Sequence, residues 1–417
     1  MKWWIAALLI ITISLWLVLR YTVSGQYLTL KAKQYVELNV PKNTGFRQHG
    51  LKWVQSVLAS FPTSQLLHYD RSKLNIGFQS HVEDKQANSA NSTHQYLVSN
   101  VKQLQTTLYN AQPGDLIWLA PGDYQVTKRL SLGASGTQHD PIVLSAKISG
   151  SVRLLIDTSE GLYLDKSYWH IRNLIFNGVC QSDARCEHAI HVYGDADHIV
   201  IQNNQFIDFN AAIKANGNYA NKVNTFADHV NITKNDFYNT KLRQTTTPSS
   251  PIDVVGGNNW VVSKNYIADF ARVATGKMSV TYGAFMKGGG NDGLFEENVV
   301  NCASALAYQS HLDVRIGLSF GDGGTEKAFC QSHQCDTEHN GGKIRNNVIL
   351  NCVNDVSIYL NKAAGTVISG NTLLNSQGID ARFPQTSVSV VDNYYQGRIQ
   401  ARDGAFISER NNQRIEE

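Results

Sequence analysis

Trp169-His-Ile-Arg-Asn173-Leu-Ile-Phe176 is followed by Ile199-Val-Ile-Gln-Asn203-Asn204-Gln-Phe206, Val230-Asn-Ile-Thr-Lys-Asn235-Asp-Phe237 and Trp260-Val-Val-Ser-Lys-Asn265-Tyr-Ile267. Four further copies of this phrase centre on Asn298, Asn347, Asn371 and Asn393. Each is a short apolar run, an asparagine and a second apolar run. The copies lie 22 to 33 residues apart, with one gap of 49. A repeat of that period with one residue type at a fixed place is the signature of a solenoid. The runs are too short for hairpins, and Asn-Gly turns between them are rare. Stacked coils bury a continuous core instead. Asparagine suits the corner because it tolerates the left-handed conformation and its amide can bond the asparagine one coil away. The pattern predicts an all-β chain, a right-handed parallel β-helix.

Outward from the repeat, Val98 to Ala111 has helical spacing at Val101, Leu104 and Leu108, with Ser99 or Asn100 as N-cap. This helix is expected to cap the solenoid's N-terminal end. The expected organisation is a membrane segment or signal at 1–20, an extension with one short helix at 21–98, the β-helix at 99–410 and a tail at 411–417. Residues 3–19 are Trp3-Trp4 and an apolar run from Ile5 to Leu19, closed by Arg20. The length falls between a signal core and a full span, and no A-x-A cleavage pattern follows. An uncleaved inner-membrane anchor is favoured over a cleaved signal. Either way the rest of the chain is expected outside the cytoplasm, periplasmic if anchored and secreted if cleaved.

The six cysteines suit that compartment. Cys180 with Cys186 and Cys330 with Cys335 can close small loops. Cys302 and Cys352 end similar phrases and fall at equivalent corners, so these too are disulfide candidates. A zinc site at Cys330 and Cys335 with His333 or His339 is a weaker alternative. Of 417 residues, Lys plus Arg number 37 and Asp plus Glu 34, a net charge of +3. That balance gives no support to nucleic-acid binding. The chain is expected to be a monomer.

A second strand recurs upstream of each asparagine phrase. It reads Ile190-His-Val-Tyr-Gly194, Ile213-Lys-Ala-Asn-Gly217, Ile252-Asp-Val-Val-Gly256, Ala284-Phe-Met-Lys-Gly288, Val314-Arg-Ile-Gly317 and Ile358-Tyr-Leu-Asn361. Alternation turns Ile190, Val192, Ile213, Ala215, Ile252, Val254, Ala284, Met286, Val314 and Ile316 inward. It turns out His191, Tyr193, Lys214, Asn216, Asp253, Phe285, Lys287, Arg315, Tyr359 and Asn361, with Asp313 one step along. Cations and aromatic rings stacked over several coils suit an extended anionic sugar chain.

A uronate polymer is cleaved by β-elimination when a group neutralises the carboxylate, a base takes the C5 proton and an acid serves the leaving oxygen. Lys287 is the base candidate if neighbours lower its pKa, and Gly288-Gly-Gly290 after it would let a ligand approach. Arg315 would clamp or assist. His191, Lys214 and Asp253 occupy the preceding coils. Tyr193, Lys214, Asn216, Phe285, Tyr359 and Asn361 are candidate substrate contacts. Calcium is the metal that Asp292, Glu296 and Glu297 would suit, although the two glutamates alternate faces. Hydrolysis needs two facing carboxylates and ranks below elimination, since Asp253 stands alone unless Asp313 or Asp322 approaches.

Ala111-Gln-Pro-Gly-Asp-Leu-Ile-Trp-Leu-Ala-Pro-Gly-Asp-Tyr124, Gly136 and Pro141-Ile-Val-Leu-Ser145 resemble the opening of the chondroitinase B and alginate lyase type of right-handed β-helix polysaccharide lyase. Met286-Lys287-Gly288 and Val314-Arg315-Ile316-Gly317 are similar to that family's base-lysine strand and later arginine strand. The resemblance implies Lys287 as base and Arg315 as acid. No clear match to the family's calcium cluster is found, and Gly321 to Asn340 reads as an insertion. A non-catalytic polysaccharide-binding solenoid and a C5-epimerase are the other readings.

Overall fold

A computed structural model describes residues 66–67, 75–84, 94–220, 223–273 and 277–415. Each coil runs through three strands that belong to three long parallel sheets. Sheet A, of 12 strands, starts with Gln95–Val98 and Leu116–Leu119 and ends with Phe406–Arg410. Sheet C, of 11 strands, runs from Gly122–Val126 to Gln413–Arg414. Sheet B, of 10 strands, runs from Leu130–Ser131 to Arg398–Arg402 and carries the second predicted strand. Every ladder between these strands is parallel, as in Ile190↔Ile213↔Ile252↔Ala284. The architecture is a parallel β-helix. Its core is one cluster of stacked Ile, Val, Leu and Phe, with Phe176, Phe206 and Phe237 face to face at 5.0 and 4.8 Å.

The asparagine repeat is a hydrogen-bonded ladder at the corner between sheets A and C. Asn204, Asn235, Asn265, Asn298, Asn347, Asn371, Asn393 and Asn412 each accept, on Oδ1, from the residue one coil before. Their amide nitrogens donate onward, Asn298 Nδ2 to Val262 O at 2.8 Å and Asn347 Oδ1 at 2.9 Å. Two expectations need correction. Asn173 lies one position early: Leu174 takes the ladder place, and Asn173 pairs with Asn203. The left-handed residue is not the ladder asparagine but the one before it, as at Asn203, Lys234, Lys264 and Glu297. The ladder side chain is buried and must satisfy its whole amide, so the turn's unusual backbone falls on the neighbour.

The cap helix is Val101–Asn110, with Asn100 Oδ1 accepting from Gln103 N at 3.0 Å. Val98 belongs to the strand before it. The 49-residue gap holds two excursions, 303–312 and 321–338, on either side of the long strand Asp313–Phe320. All three predicted disulfides are present, so the cysteines at 330 and 335 are not zinc ligands. Among the described residues no helix is long and apolar enough to cross a membrane; residues 1–20 lie outside them.

Residues 75–84 run as a strap along the A/C corner against the coil direction, and Leu67 lies beyond the end of the sheet C strand Val348–Leu350. Leu67 exchanges hydrogen bonds with Asn351, Gly77 N donates to Lys264 O, and Phe78 N to Asp236 Oδ1. Gln79 N donates to Asn203 Oδ1 and Asp84 N to Lys147 O.

Candidate functional site

Sheet B presents one outward column in register: Ser131, Tyr163, His191, Lys214, Asp253, Phe285, Ser319, Tyr359 and Asp380. Tyr193, Asn216 and Lys287 lie two residues further along their strands. Alternation positions these side chains because Ile190, Val192, Ile213, Ala215, Ile252 and Val254 fill the core beneath them.

The N-terminal half of this face is a compact polar group. His191 Nδ1 lies 2.7 Å from Glu160 Oε1, and Nε2 lies 3.2 Å from Asn216 Oδ1. The Tyr163 ring packs edge-on to His191 at 5.4 Å and beside Tyr193 at 5.5 Å. Lys214 Nζ meets Asp253 Oδ1 at 2.7 Å. Arg129 lies over the Tyr163 ring at 4.2 Å and pairs with Glu160 at 3.1 Å. Burial, helped by Tyr193 and nearby carboxylates, pushes the Tyr163 phenol up to about 12. Burial also pushes Glu160 up, but hydrogen bonds from His191 and Arg129 outweigh it and hold its carboxyl below the ordinary value. Burial raises Glu187 instead, with Lys214 opposing and Glu160 adding. Glu160, Tyr163, Glu187 and Arg129 were not singled out from sequence. The strand Glu160–Leu164 precedes the phrase at Asn173 as the other second strands precede theirs, so register would have added it to the column.

Lys287 lies three strands beyond His191, about 14 Å at ordinary strand spacing. Its Nζ donates to Asp322 Oδ2 at 2.9 Å and Gly324 O at 3.0 Å. Burial works to lower its pKa, but Asp322 beside it, then Asp253 and Glu338, outweigh that and raise it. The expected depression is therefore absent, and Lys287 sits as an ion-paired ammonium. The glycines after it serve the fold rather than an open approach. Gly288 has φ of +79°, and a Cβ there would come within 2.8 Å of Gly256 N.

The segment 321–338 answers what covers Lys287. It folds back over the adjacent corner and is fastened by Gln331 N to Gly288 O, Asn224 Nδ2 to Cys330 O, and the Tyr219 and Phe329 rings 5.1 Å apart. Glu338 accepts from Gly288 N and from Thr325 N and Oγ1.

Arg315 is not on this face. It pairs in register with Thr281, and Leu318–Phe320 take the place expected for Val314–Ile316. Arg315 therefore lies six residues along the strand from Lys287's level, about 20 Å away. It is fully buried, bonded to Asp313 and to the carbonyls of Cys302, Leu306 and Ala307, and packed on Tyr308. Its work is to hold the excursion 303–312 against the solenoid. The physical reason is a break in alternation at Gly283 and Gly317, where close backbone contacts leave no room for a Cβ. Before that break Val314 and Ile316 turn outward, contrary to expectation, and with Tyr282 cover Phe285 in a small apolar cluster. Phe285 is thus packed away, and Asp313 is buried on Arg315. Asn361 is buried and donates to Asp322 O at 2.7 Å, while Tyr359 remains half-exposed.

The calcium candidates do not converge. Glu296 pairs with Arg345 and Glu297 with Lys264, and among the described residues no three acidic, histidine or cysteine side chains are grouped to hold a metal.

Residues 98–282 match the family model described as Chondroitinase B. No curated protein matches the chain. Among solved structures, an alginate lyase from Paenibacillus sp. str. FPU-7 is 17% identical over 78% of this chain and 96% of its own, with a TM-score of 0.49. A GH136 lacto-N-biosidase from Eubacterium ramulus is 12% identical over 89% and 72%, with a TM-score of 0.48. A PL6 family polysaccharide lyase from Pseudopedobacter saltans is 12% identical over 77% and 92%, with a TM-score of 0.38. The resemblance to β-helix polysaccharide lyases rests on the matched stretch. That stretch holds the cap helix, His191, Lys214 and Asp253, and stops short of Lys287.

Proposed function

We propose that the chain is an exported polysaccharide lyase, built on a right-handed parallel β-helix and anchored by residues 3–19, that cleaves a uronate-containing polymer by β-elimination. The observation that carries this reading is the group around His191: an imidazole, two phenols and a lysine within one or two coils. Its chemistry meets the three demands of elimination. His191 in its neutral form, with Nδ1–H donated to Glu160, offers the Nε2 lone pair as the base for the C5 proton once substrate takes the place of Asn216 Oδ1. The electron pair forms the C4–C5 double bond and the C4–O bond breaks. Tyr163, kept protonated well above neutral pH, or its neighbour Tyr193 gives its proton to the leaving oxygen. Lys214 faces the uronate carboxylate and exchanges Asp253 for it. Lys287, with its ammonium fixed by Asp322, serves a second carboxylate further along the chain rather than as base. A C5-epimerase would use the same proton abstraction.

One observation favours a second reading. Glu160 and Glu187 interact, and their surroundings push them in opposite directions, as an acid and a base for glycosidic hydrolysis require. One experiment separates the two. The full chain is incubated with a panel of uronate polymers, and both ultraviolet absorbance of the unsaturated product and new reducing ends are followed. Elimination raises both signals. Reducing ends without absorbance would replace the lyase with a hydrolase. Binding with neither signal would leave a carbohydrate-binding solenoid or an epimerase, which proton exchange at C5 would tell apart.

A further inference from the structure

The outward column of sheet B does not stop at the His191 group. Tyr163 is one strand before His191, and Ser131 is one strand before Tyr163. At that end the cap helix packs against the first coil, with Gly133 N donating to Leu108 O. Between helix and strand lies a cleft of about 410 Å³ lined by Gln105, Thr106, Tyr109, Lys128, Arg129 and Ser131. Tyr109 is 67% exposed, although it is a large ring on a ten-residue helix whose buried side is already formed by Leu104 and Leu108. Lys128 makes no ion pair among the described residues, whereas Arg129 beside it is spoken for by Glu160 and Tyr163.

We propose that this cleft is a binding subsite for one further anionic sugar of the bound polymer. It rests on the uronate reading of the face. Lys128 meets the sugar's carboxylate, and Tyr109 offers a flat apolar surface to its ring, while Gln105, Thr106 and Ser131 are within the same cleft for its hydroxyls. The spacing fits, because strands stack about 4.8 Å apart, so a chain lying along the column that places a sugar over His191 passes Tyr163 and then enters the cleft. The cap helix thereby sets how many sugars are held on one side of the cleaved bond.

The test is calorimetric titration of the full chain, in a His191→Ala background so that ligand persists, with uronate oligomers of increasing length. Affinity is expected to rise at the length that reaches the cleft. Lys128→Gln and Tyr109→Ala, both on exposed positions, should each remove that increment, about tenfold in Kd, with short oligomers unaffected and the melting temperature unchanged. Added salt should shrink the Lys128 effect and spare the Tyr109 effect. Binding of long oligomers that neither variant alters overturns the subsite and leaves the uronate face standing. A Lys128-dependent increment with no unsaturated product from the unmutated chain keeps the subsite and removes the lyase. No binding of any uronate oligomer overturns both.

Discussion

At the scale of single residues, His191 and Glu160 divide chemistry from support. His191→Ala should lower kcat by about 10²- to 10⁴-fold, the usual contribution of a positioned base. Glu160→Gln should lower kcat with KM nearly unchanged, because Glu160 orients the imidazole without touching the sugar; steady-state kinetics at fixed pH checks both. Elsewhere burial, rather than catalysis, sets protonation. His188, buried and donating Nδ1 to Ala211 O, is pushed down to about 4, and His339, stacked on Phe320 at 4.1 Å, to about 3. Both stay neutral in the folded state while the unfolded chain takes up protons below about pH 6.5. Stability is therefore fully present above about pH 6.5 and falls as pH drops toward 4, by about 1.4 kcal/mol per pH unit for each such histidine. Urea unfolding at pH 7, 6 and 5 should show this slope, and His339→Gln should reduce it by one histidine's share. Neither effect was legible in the sequence, where His188 looks like any strand residue and His339 like a zinc candidate.

At the scale of the element, the asparagine ladder makes a graded prediction. Asn298→Ala takes the side-chain acceptor from Asn265 N and removes one bond each from Asn265 Nδ2, Val262 O and Asn347 Oδ1, all inside the structure. It should cost about 2–4 kcal/mol, since four buried hydrogen bonds are lost and no water reaches the groups that made them. Asn412→Ala, half-buried on the last coil, should cost less than half as much. Denaturant midpoints compare the two. This ladder is also where sequence spoke most clearly, because one buried amide per coil leaves a period that loops of different length cannot hide. The strand Asp313–Phe320 shows the opposite case. Strict alternation assigned Val314 and Ile316 to the core and Arg315 to the sugar face, yet the unbroken pairing begins at Leu318. Two glycines shifted the phase, and glycine carries no polarity by which a reader could tell that it had.

At the scale of the whole molecule, the strap and the excursion 321–338 bind coils that are distant in sequence. Asn203→Ala removes both of its bonds to Gln79 and should release the strap locally. Limited proteolysis should then cut within 75–84 several-fold faster while the solenoid stays resistant, as expected for backbone held by few contacts. None of this was visible in the sequence, because these residues have no periodicity and their partners are scattered backbone carbonyls and side chains at the coil corners. The strap also orders events in time. A ribosome delivers Leu67 long before Asn351, its partner 284 positions later. The coils can zip up one upon another as they emerge, and the early segment can follow them from its far end backwards: Asp84 finds its place once Lys147 exists, Gln79 once Asn203 does, Gly77 once Lys264 does, and Leu67 only with Asn351. Within this segment the residues made first are seated last, because it runs against the direction in which the coils are laid down.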